Sequence, residues 1–523
     1  MNPSFAAAIA SVVTALAGIA SAADPAVSNA PPHGILLTDS LGHTVYLDTN
    51  LVARPMRPLS AKGLAHQFSG ALEGAKAPVE ALTRLVESRA GQVGWQFFPA
   101  VPPRLPSYLS SVDDYGNTAI RPGALITYDP FDVLPQGAKY WASEYGLRYS
   151  LDQTITYVHM SEVLKGENDL GYYTFDFKAK WAVFDAPGAG TAGWISSQIE
   201  AQTALGGTND TQSAKSNLGT VTDPTGIWSS VNGIRVPELA WQESFLDGQA
   251  VLVAGTINQE NYLDKNAYAH TGRGQFINSA LINSMVLPLK NNNFGVNLQC
   301  QPHNDWYAMI GASVGDAPNG FLPWTDFNWH DWSLIGEIGY APDDLFGLGP
   351  GIYRLQPFVG QVTGLESATV TFTNPGSTNS ESVTYSSPTN SPVQAGLCFN
   401  LQQQLGPHSP FAWFGRFGFG GSQIAAGAAA QIGTGFVMQA PLKHAGLVPR
   451  LGNDLLGVGL VWSQPSATSQ TIYHHNEYAL EAFYALQLTP LMRLQPDVQY
   501  VWNPAFNPAN DALVAQLQLV FSW

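Results

Sequence analysis

Charge is what this 523-residue chain has least of. Asp, Glu, Lys and Arg make up 12% of it, about half the usual ~25%. What charge there is leans acidic, 39 residues against 23 basic, for a net −16. A basic face for phosphate is therefore missing, and nucleic acid is not an expected partner. No Lys or Arg occurs before Arg54. Past the N-terminus no segment approaches ~18 consecutive apolar residues, so no transmembrane helix is expected. Cysteine is nearly absent, with only Cys300 and Cys398. Cys300 follows the apolar parity of Val296 and Leu298, whereas Cys398 is opposite in parity to Leu397 and Phe399, so a disulfide between them is not expected. There is no C-x-x-C, G-x-S-x-G, H-E-x-x-H, P-loop or dinucleotide fingerprint. Asp113-Asp114 and Asp343-Asp344 are loop neighbours that read as turn formers rather than a hydrolase pair. His474-His475 would point to opposite faces of a strand. Neither an enzyme, a metal nor a cofactor is expected.

Glycine (51), Phe (25), Tyr (20) and Trp (14) are plentiful, and 45% of residues are hydrophobic, yet mean hydropathy is near zero. Many aromatics, few charges and no long apolar run suit a membrane wall that uses every second residue for lipid.

The C-terminal 47 residues show that pattern most plainly. One face carries Tyr478, Leu480, Ala482, Tyr484, Leu486 and Leu488, then Leu494, Pro496, Val498, Tyr500 and Trp502, then Leu513, Ala515, Leu517, Leu519, Phe521 and Trp523. The other carries Glu477, Glu481, Gln487, Arg493, Gln495, Asp497, Gln499, Gln516, Gln518 and Ser522. Period two between an apolar and a polar face marks strands separating two solvents. Strands of ~10 residues cross a bilayer when tilted. Thr489-Pro490-Leu491 reads as a tight periplasmic turn.

Working backwards, strands are predicted at 147–157, 173–183, 194–203, 250–257, 293–301, 306–314, 332–340, 352–361, 367–374, 393–402, 411–420, 433–440 and 455–463, with alternation beginning near Ala124–Tyr128. The fold class is all-β: a transmembrane antiparallel β-barrel of about 16, up to 18, strands over 121–523. Connections alternate long and short, with 441–454 breaking the rule. Arg235 to Phe245 reads as helical. The stretches 205–249 and 258–292 are candidates to fold into the lumen and set its constriction. The loop 315–331 is rich in aromatics, with Trp324, Phe327 and Trp329 beside His330.

Residues 1–22 read as a signal peptide, apolar from Phe5 to Ala20 with an Ala20-Ser21-Ala22 cleavage site. Residues 23–120 read as a periplasmic or plug-like extension. It holds a hairpin around Asp39–Gly42, a helix over Gly70–Ala90 interrupted at Pro78, and a Pro-rich linker.

Four stretches in order resemble the OprB-type carbohydrate-selective porins. They are Phe245-Leu246-Asp247-Gly248-Gln249 leading to Val253-Ala254-Gly255-Thr256; Asp264-Lys265-Asn266-Ala267-Tyr268 with Gln275-Phe276-Ile277-Asn278-Ser279-Ala280-Leu281; Arg450 with Asn453-Asp454-Leu455-Leu456-Gly457-Val458-Gly459; and the closing hairpin around Glu481-Ala482-Phe483-Tyr484 and Leu494-Gln495-Pro496-Asp497-Val498-Gln499-Tyr500. The resemblance covers about 140–523. It implies a 16-stranded outer-membrane barrel passing sugars by passive diffusion. The chain ends in Trp523 where such barrels usually end in Phe.

A sugar channel needs donors and acceptors that bind weakly, not a catalyst. Strand parity puts Arg148, Asp152, Asp176, Lys178, Lys180, Glu337, Glu477, Glu481, Arg493, Asp497 and Gln499 on the lumen side, with Glu481, Arg493 and Asp497 placed for a cross-strand charge cluster. The same charges suit a structural ladder that pins register and solvates the wall. Tyr484, Tyr500, Trp502 and Trp523 have the outward parity of an interface girdle. Expected partners are outer-membrane lipid, carbohydrate solutes and, through the last strand, the barrel-assembly machinery, in a monomer or homotrimer. The remaining readings are a porin for other small hydrophilic solutes or ions, and a secreted β-rich sugar-binding protein or hydrolase.

Overall fold

The computed structural model describes residues 34–38, 44–48, 124–126 and, with short interruptions in the connections, 147–522. Strands β1 (Gly34–Thr38) and β2 (Thr44–Asp48) form the expected N-terminal antiparallel hairpin. The predicted signal peptide, the Gly70–Ala90 helix, the Pro-rich linker, the aromatics of 316–330, His474 and Trp523 lie outside the described residues.

The wall begins at β3 (Leu147–Met160), β4 (Asp169–Ala186), β5 (Thr191–Leu205), β6 (Gly233–Phe245), β7 (Ala250–Ile257) and β8 (Asn293–His303). It continues through β9 (Trp306–Val314), β10 (Trp332–Tyr340) and β11 (Gly351–Gln361). After an outlying hairpin of β12 (Thr369–Thr373) and β13 (Ser380–Thr384) it resumes with β14 (Gln394–Gln404), β15 (Phe411–Gly420) and β16 (Ala428–Gln439). It ends with β17 (Leu455–Pro465), β18 (Glu477–Gln487), β19 (Met492–Trp502) and β20 (Ala512–Ser522). Each strand pairs antiparallel with its neighbours, and β20 pairs with β3, from Val514 opposite Met160 to Ser522 opposite Asp152. The result is a closed barrel of sixteen strands. Closure leaves no open edge, the condition for a sheet to stand in hydrocarbon.

Alternation decides which residues face which solvent. Along β18, Glu477, Ala479, Glu481, Phe483, Ala485 and Gln487 are buried inward, while Tyr478 and Leu480 stay exposed on the outside. The outer surface elsewhere carries Trp181, Ile310, Leu334, Ile338, Phe399, Phe419, Phe436, Val458 and Leu460. A lipid-facing wall keeps such a band exposed at acceptable cost.

Sixteen is the expected count, but its membership differs from the expected list in three places. Arg235 to Phe245 is not helical but belongs to β6. The 367–374 segment is β12, which pairs only with β13 and lies outside the barrel. Ala124–Ile126 is not strand: the Leu125 and Ile126 amides donate to the Gln487 and Leu488 carbonyls at the β18–β19 turn.

Connections sort by end. One end has the short links 187–190, 246–249, 304–305 and 488–491, and the other has the long links 206–232, 258–292, 315–331 and 362–393. The link 440–454, which carries α3 (Pro441–His444), remains the exception at the short end. Cys300 and Cys398 are both free, on β8 and β14.

Candidate solute pathway

The connection after β7 turns inward, and its described residues are held there by contacts along their length. Asn258 caps the first turn, a single 3-10 turn over Gln259–Asn261. Asn261 Nδ2 then donates to Gln198 Oε1 at 2.8 Å and Glu238 Oε2 at 2.9 Å, and the Tyr262 hydroxyl to Glu238 Oε1 at 2.7 Å, which fixes the loop to β5 and β6.

On the far side of the lumen, Asp264 meets Arg416 Nε of β15 at 3.1 Å and accepts from Asn400 Nδ2 of β14 at 2.6 Å. Its own amide donates to Glu337 Oε2 of β10 at 3.2 Å. Glu337 also accepts from the Tyr307 hydroxyl at 2.6 Å and lies 3.5 Å from Arg354. These groups are almost wholly buried. Buried ion pairs repay their desolvation only when the remaining donors and acceptors are satisfied, and here the loop backbone satisfies them. The arrangement favours one loop position more than it adds net stability.

The chain then crosses to β18 and β19. Gly274 N donates to Gln495 Oε1 at 2.7 Å, Ile277 N to Glu481 Oε1 at 2.5 Å and Asn278 N to Glu481 Oε2 at 2.9 Å. Asn278 caps α2 (Ser279–Ile282), and Met285 N donates to Gln431 Oε1 of β16 at 2.6 Å. Phe276 packs between Phe414 and Phe483, ring centroids 5.0 and 4.8 Å away. Gly457 and Gly459 of β17 make room for it: a Cβ at either would come within 2.9 Å of the Phe276 ring. The interior on this side is therefore a packed core.

A second inserted segment lies beside the first. It contains α1 (Ala214–Leu218), closed by a Ser213–Ser216 capping box. The amides of Val221 and Thr222 and the Thr222 hydroxyl donate to Glu477 at 2.8, 3.0 and 2.5 Å. Gln499 and Gln516 donate to the Pro224 carbonyl, and Ser279 N donates to Asp223 O, joining the two loops.

What stays partly open is an arc. Among the described inward-facing charged wall residues, Asp152, Lys178, Glu200, Arg235 and Arg493 keep partial exposure, on β3, β4, β5, β6 and β19. With β20 between β19 and β3, these strands are contiguous. Register puts Asp152 opposite Asp176, Asp176 opposite Glu200 and Glu200 opposite Arg235, a lateral row of three carboxylates ending in a guanidinium. Like charges directly opposite one another are destabilising, and cations interleave. Arg273 of the loop reaches Asp176 at 3.3 Å and Thr154 Oγ1 at 3.1 Å. Lys178 lies 3.7 Å from Asp176, and Arg235 lies 2.6 Å from Glu200.

The loop presents a tight tip to this arc. Gln275 folds back to accept from the amides of His270 and Thr271, Thr271 Oγ1 accepts from Arg273 N, and Gly272 and Gly274 take positive φ. His270 is largely but not wholly buried, and its Nδ1 is buried without a hydrogen-bond partner. Burial, reinforced by Lys265, Arg416, Lys178 and Arg354, holds its imidazole well below the ordinary range.

The residues expected in the lumen do face inward where described, but they divide into two groups. Asp152, Lys178 and Arg493 flank the open arc, with Asp176 and Lys180 buried in its wall. Glu337, Glu477, Glu481 and Gln499 are covered by the inserted loops and hold their backbones or side chains. Asp497 is buried next to Glu481 and accepts from Gln499 at 3.1 Å. Arg493 is not brought to Glu481: its Nε donates to Gln487 Oε1 at 3.2 Å, and its side chain packs on Gly274. Arg148 lies opposite Lys180 on the backbone, but its side chain is outside the described residues. Glu200, Arg235, His270 and Arg273 were not among the expected residues. Glu200 follows the parity of the predicted 194–203 strand and was legible there; Arg235 was hidden by the helical reading, and the two loop residues have no periodic signal.

Comparison with known proteins agrees with this architecture. The profile of the carbohydrate-selective porin, OprB family matches residues 189–523. The high-pH structure of Pseudomonas putida OprB superposes with a TM-score of 0.57 at 14% identity, covering 74% of this chain and 97% of that one. The low-pH structure of the same protein gives 0.43 at 13% identity, over 74% and 96%. A mutant porin of Rh. blastica gives 0.38 at 7% identity, over 72% and 100%. No match was found among the curated proteins.

Proposed function

The chain belongs to the carbohydrate-selective porin family of OprB type, and from that premise we propose that its solutes cross along the charged arc between the inserted loop and the β3–β6 wall. Family and fold together make it an outer-membrane porin that lets carbohydrates diffuse passively through a closed barrel. The observation that carries the pathway is the distribution of exposure: the described inward charges on β10 to β18 are all buried, whereas Asp152, Lys178, Glu200, Arg235 and Arg493 on β3 to β6 and β19 keep partial exposure beside the buried Asp176, Lys180, Glu238 and Asp497.

The arc suits sugars. Carboxylates accept from hydroxyls, Lys178, Arg235, Arg273 and Arg493 donate to them, and their close interleaving gives many weak contacts rather than one strong one. This makes Glu337, Glu477, Glu481, Asp497 and Gln499 loop anchors, and Asp152, Lys178 and Arg493, beside Asp176 and Lys180, the contacts of the path. Export through the N-terminal signal segment, delivery by the barrel-assembly machinery through β20, and assembly as monomer or homotrimer complete the reading. A channel needs no chemical step, and none is assigned.

The test is liposome swelling and single-channel recording in planar bilayers. Neutral mono- and disaccharides are expected to permeate, and to reduce ion current in a concentration-dependent way. Equal rates for sugars and for neutral non-sugar solutes of the same size would overturn the carbohydrate selectivity of this path.

A further inference from the structure

The loop tip holds a group that the charged arc does not explain. His270 lies three residues before Arg273 and is largely but not wholly buried, while its Nδ1 is enclosed and has no hydrogen-bond partner. Its backbone is not free to drift: the His270 amide donates to Gln275 Oε1 at 2.9 Å, and Gln275 Nε2 returns to the Ala267 carbonyl at 2.8 Å. The charged groups around it are Lys178 of β4, Lys265 of the loop, Arg354 of β11 and Arg416 of β15. The acids of the neighbourhood are engaged with those cations or their neighbours: Asp176 with Lys178 and Arg273, Asp264 with Arg416, and Glu337 with Arg354. An imidazole among cations stays neutral, and a neutral imidazole both donates and accepts.

We propose that His270 is a specificity-determining residue of the pathway, its uncharged ring taking a hydroxyl of a neutral sugar while Arg273 and Lys178 hold neighbouring oxygens. The proposal rests on the pathway reading above. The chemistry follows from what each group offers. Lysine and arginine only donate, and ionised carboxylates only accept. A sugar hydroxyl does both, so it can meet Nε2, the ring nitrogen that is not enclosed, in either tautomer, and an imidazole pinned at a loop tip meets it with little ordering cost. Its flat face also suits the apolar side of a pyranose ring.

The experiment is sugar block of single-channel current at pH 7.5 in the wild type and in His270→Ala, His270→Phe and His270→Gln, with glucose as the probe and sodium gluconate as its anionic counterpart. His270→Ala and His270→Phe are expected to weaken glucose block about fivefold to tenfold, the worth of one hydrogen bond. His270→Gln, which keeps a neutral donor and acceptor, is expected to stay within about twofold of wild type. Block by gluconate, governed by the cations, is expected to change less than block by glucose. Unchanged glucose block in both His270→Ala and His270→Phe would overturn the proposal, as would equal loss in all three variants, which would mark His270 as a structural support. If glucose failed to block even the wild type, the pathway reading itself would fall, and the two failures are thereby distinct. Wild-type heat-modifiable migration of each variant confirms that the barrel has closed.

Discussion

Asp264 and Arg416 meet at 3.1 Å across the lumen although 152 residues separate them in the chain. Arg416 also donates to the carbonyls of Ala269 and Leu281, so one guanidinium gathers three points of the inserted loop. Removing either partner leaves a buried charge uncompensated, at a cost of about 3–5 kcal/mol. Arg416→Met and Asp264→Asn are each expected to lower the temperature at which the folded band disappears in detergent gels, and to make channel currents noisier. The double variant is expected to lose less than the sum of the two. Strict additivity would show that the pair is not coupled.

Glu481 and Arg493 are expected to separate functionally. Glu481 holds the Ile277 and Asn278 amides, whereas Arg493 flanks the open arc. Glu481→Ala strands two buried donors, each worth about 1–3 kcal/mol, and should raise conductance and its fluctuation by loosening the loop. Arg493→Ala should leave the melting temperature nearly unchanged but shift ion preference toward cations. Identical effects from the two changes would refute the division into anchors and path.

Most of the wall was legible because membrane strands obey one rule, alternation, and the tight Thr489-Pro490-Leu491 turn punctuates it. Where the rule is locally broken the reading failed. In β6 an extra residue sits between the positions facing Gln198 and Glu200, so Glu238 and Arg235 both turn inward three apart, with Gln242 four further on. That spacing is helical to the eye, and it hid Arg235. In 367–374 the alternation is real but reports only strand, and the pairing with β13 is a loop hairpin. Inward parity was correct for Glu481 and its neighbours, yet parity has no information about what covers a side chain. That depended on a loop about 200 residues earlier in the sequence, with |i−j| of 204 for the Ile277–Glu481 bond.

The carboxylate row predicts a charge effect. Arg273 offsets Asp176, which has Asp152 and Glu200 directly beside it. Arg273→Ala should increase conductance and cation preference, and Asp176→Asn should move preference toward anions. Reversal potentials across a KCl gradient measure both. A shift of the same sign in the two variants would exclude this row from the path.

Acid is expected to unsettle the loop. The imidazole of His270 is held well below its ordinary range while seated, so a released loop binds a proton that the seated loop does not. Seating is unaffected at neutral pH and weakens as pH falls through about 6.5, the value of a free imidazole. Current noise should rise on that side of the transition, and His270→Gln should flatten the rise. Noise that increases instead toward alkaline pH would contradict the sign.

The same long-range anchoring bears on how the barrel closes. The loop after β7 has partners on preceding strands but also on β10, β14, β15, β16, β18 and β19, all of which follow it in the chain. The seam between β20 and β3 joins the last strand to the first, with Leu513 and Ser161 bonded across 352 residues. Non-local closure of this kind is slow, because chain entropy is lost before the contacts repay it. An unseated loop would meanwhile offer polar backbone to a lumen still open to the hydrocarbon. A variant that delays seating of the loop is therefore expected to accumulate as an unclosed sheet even where the finished barrel is stable.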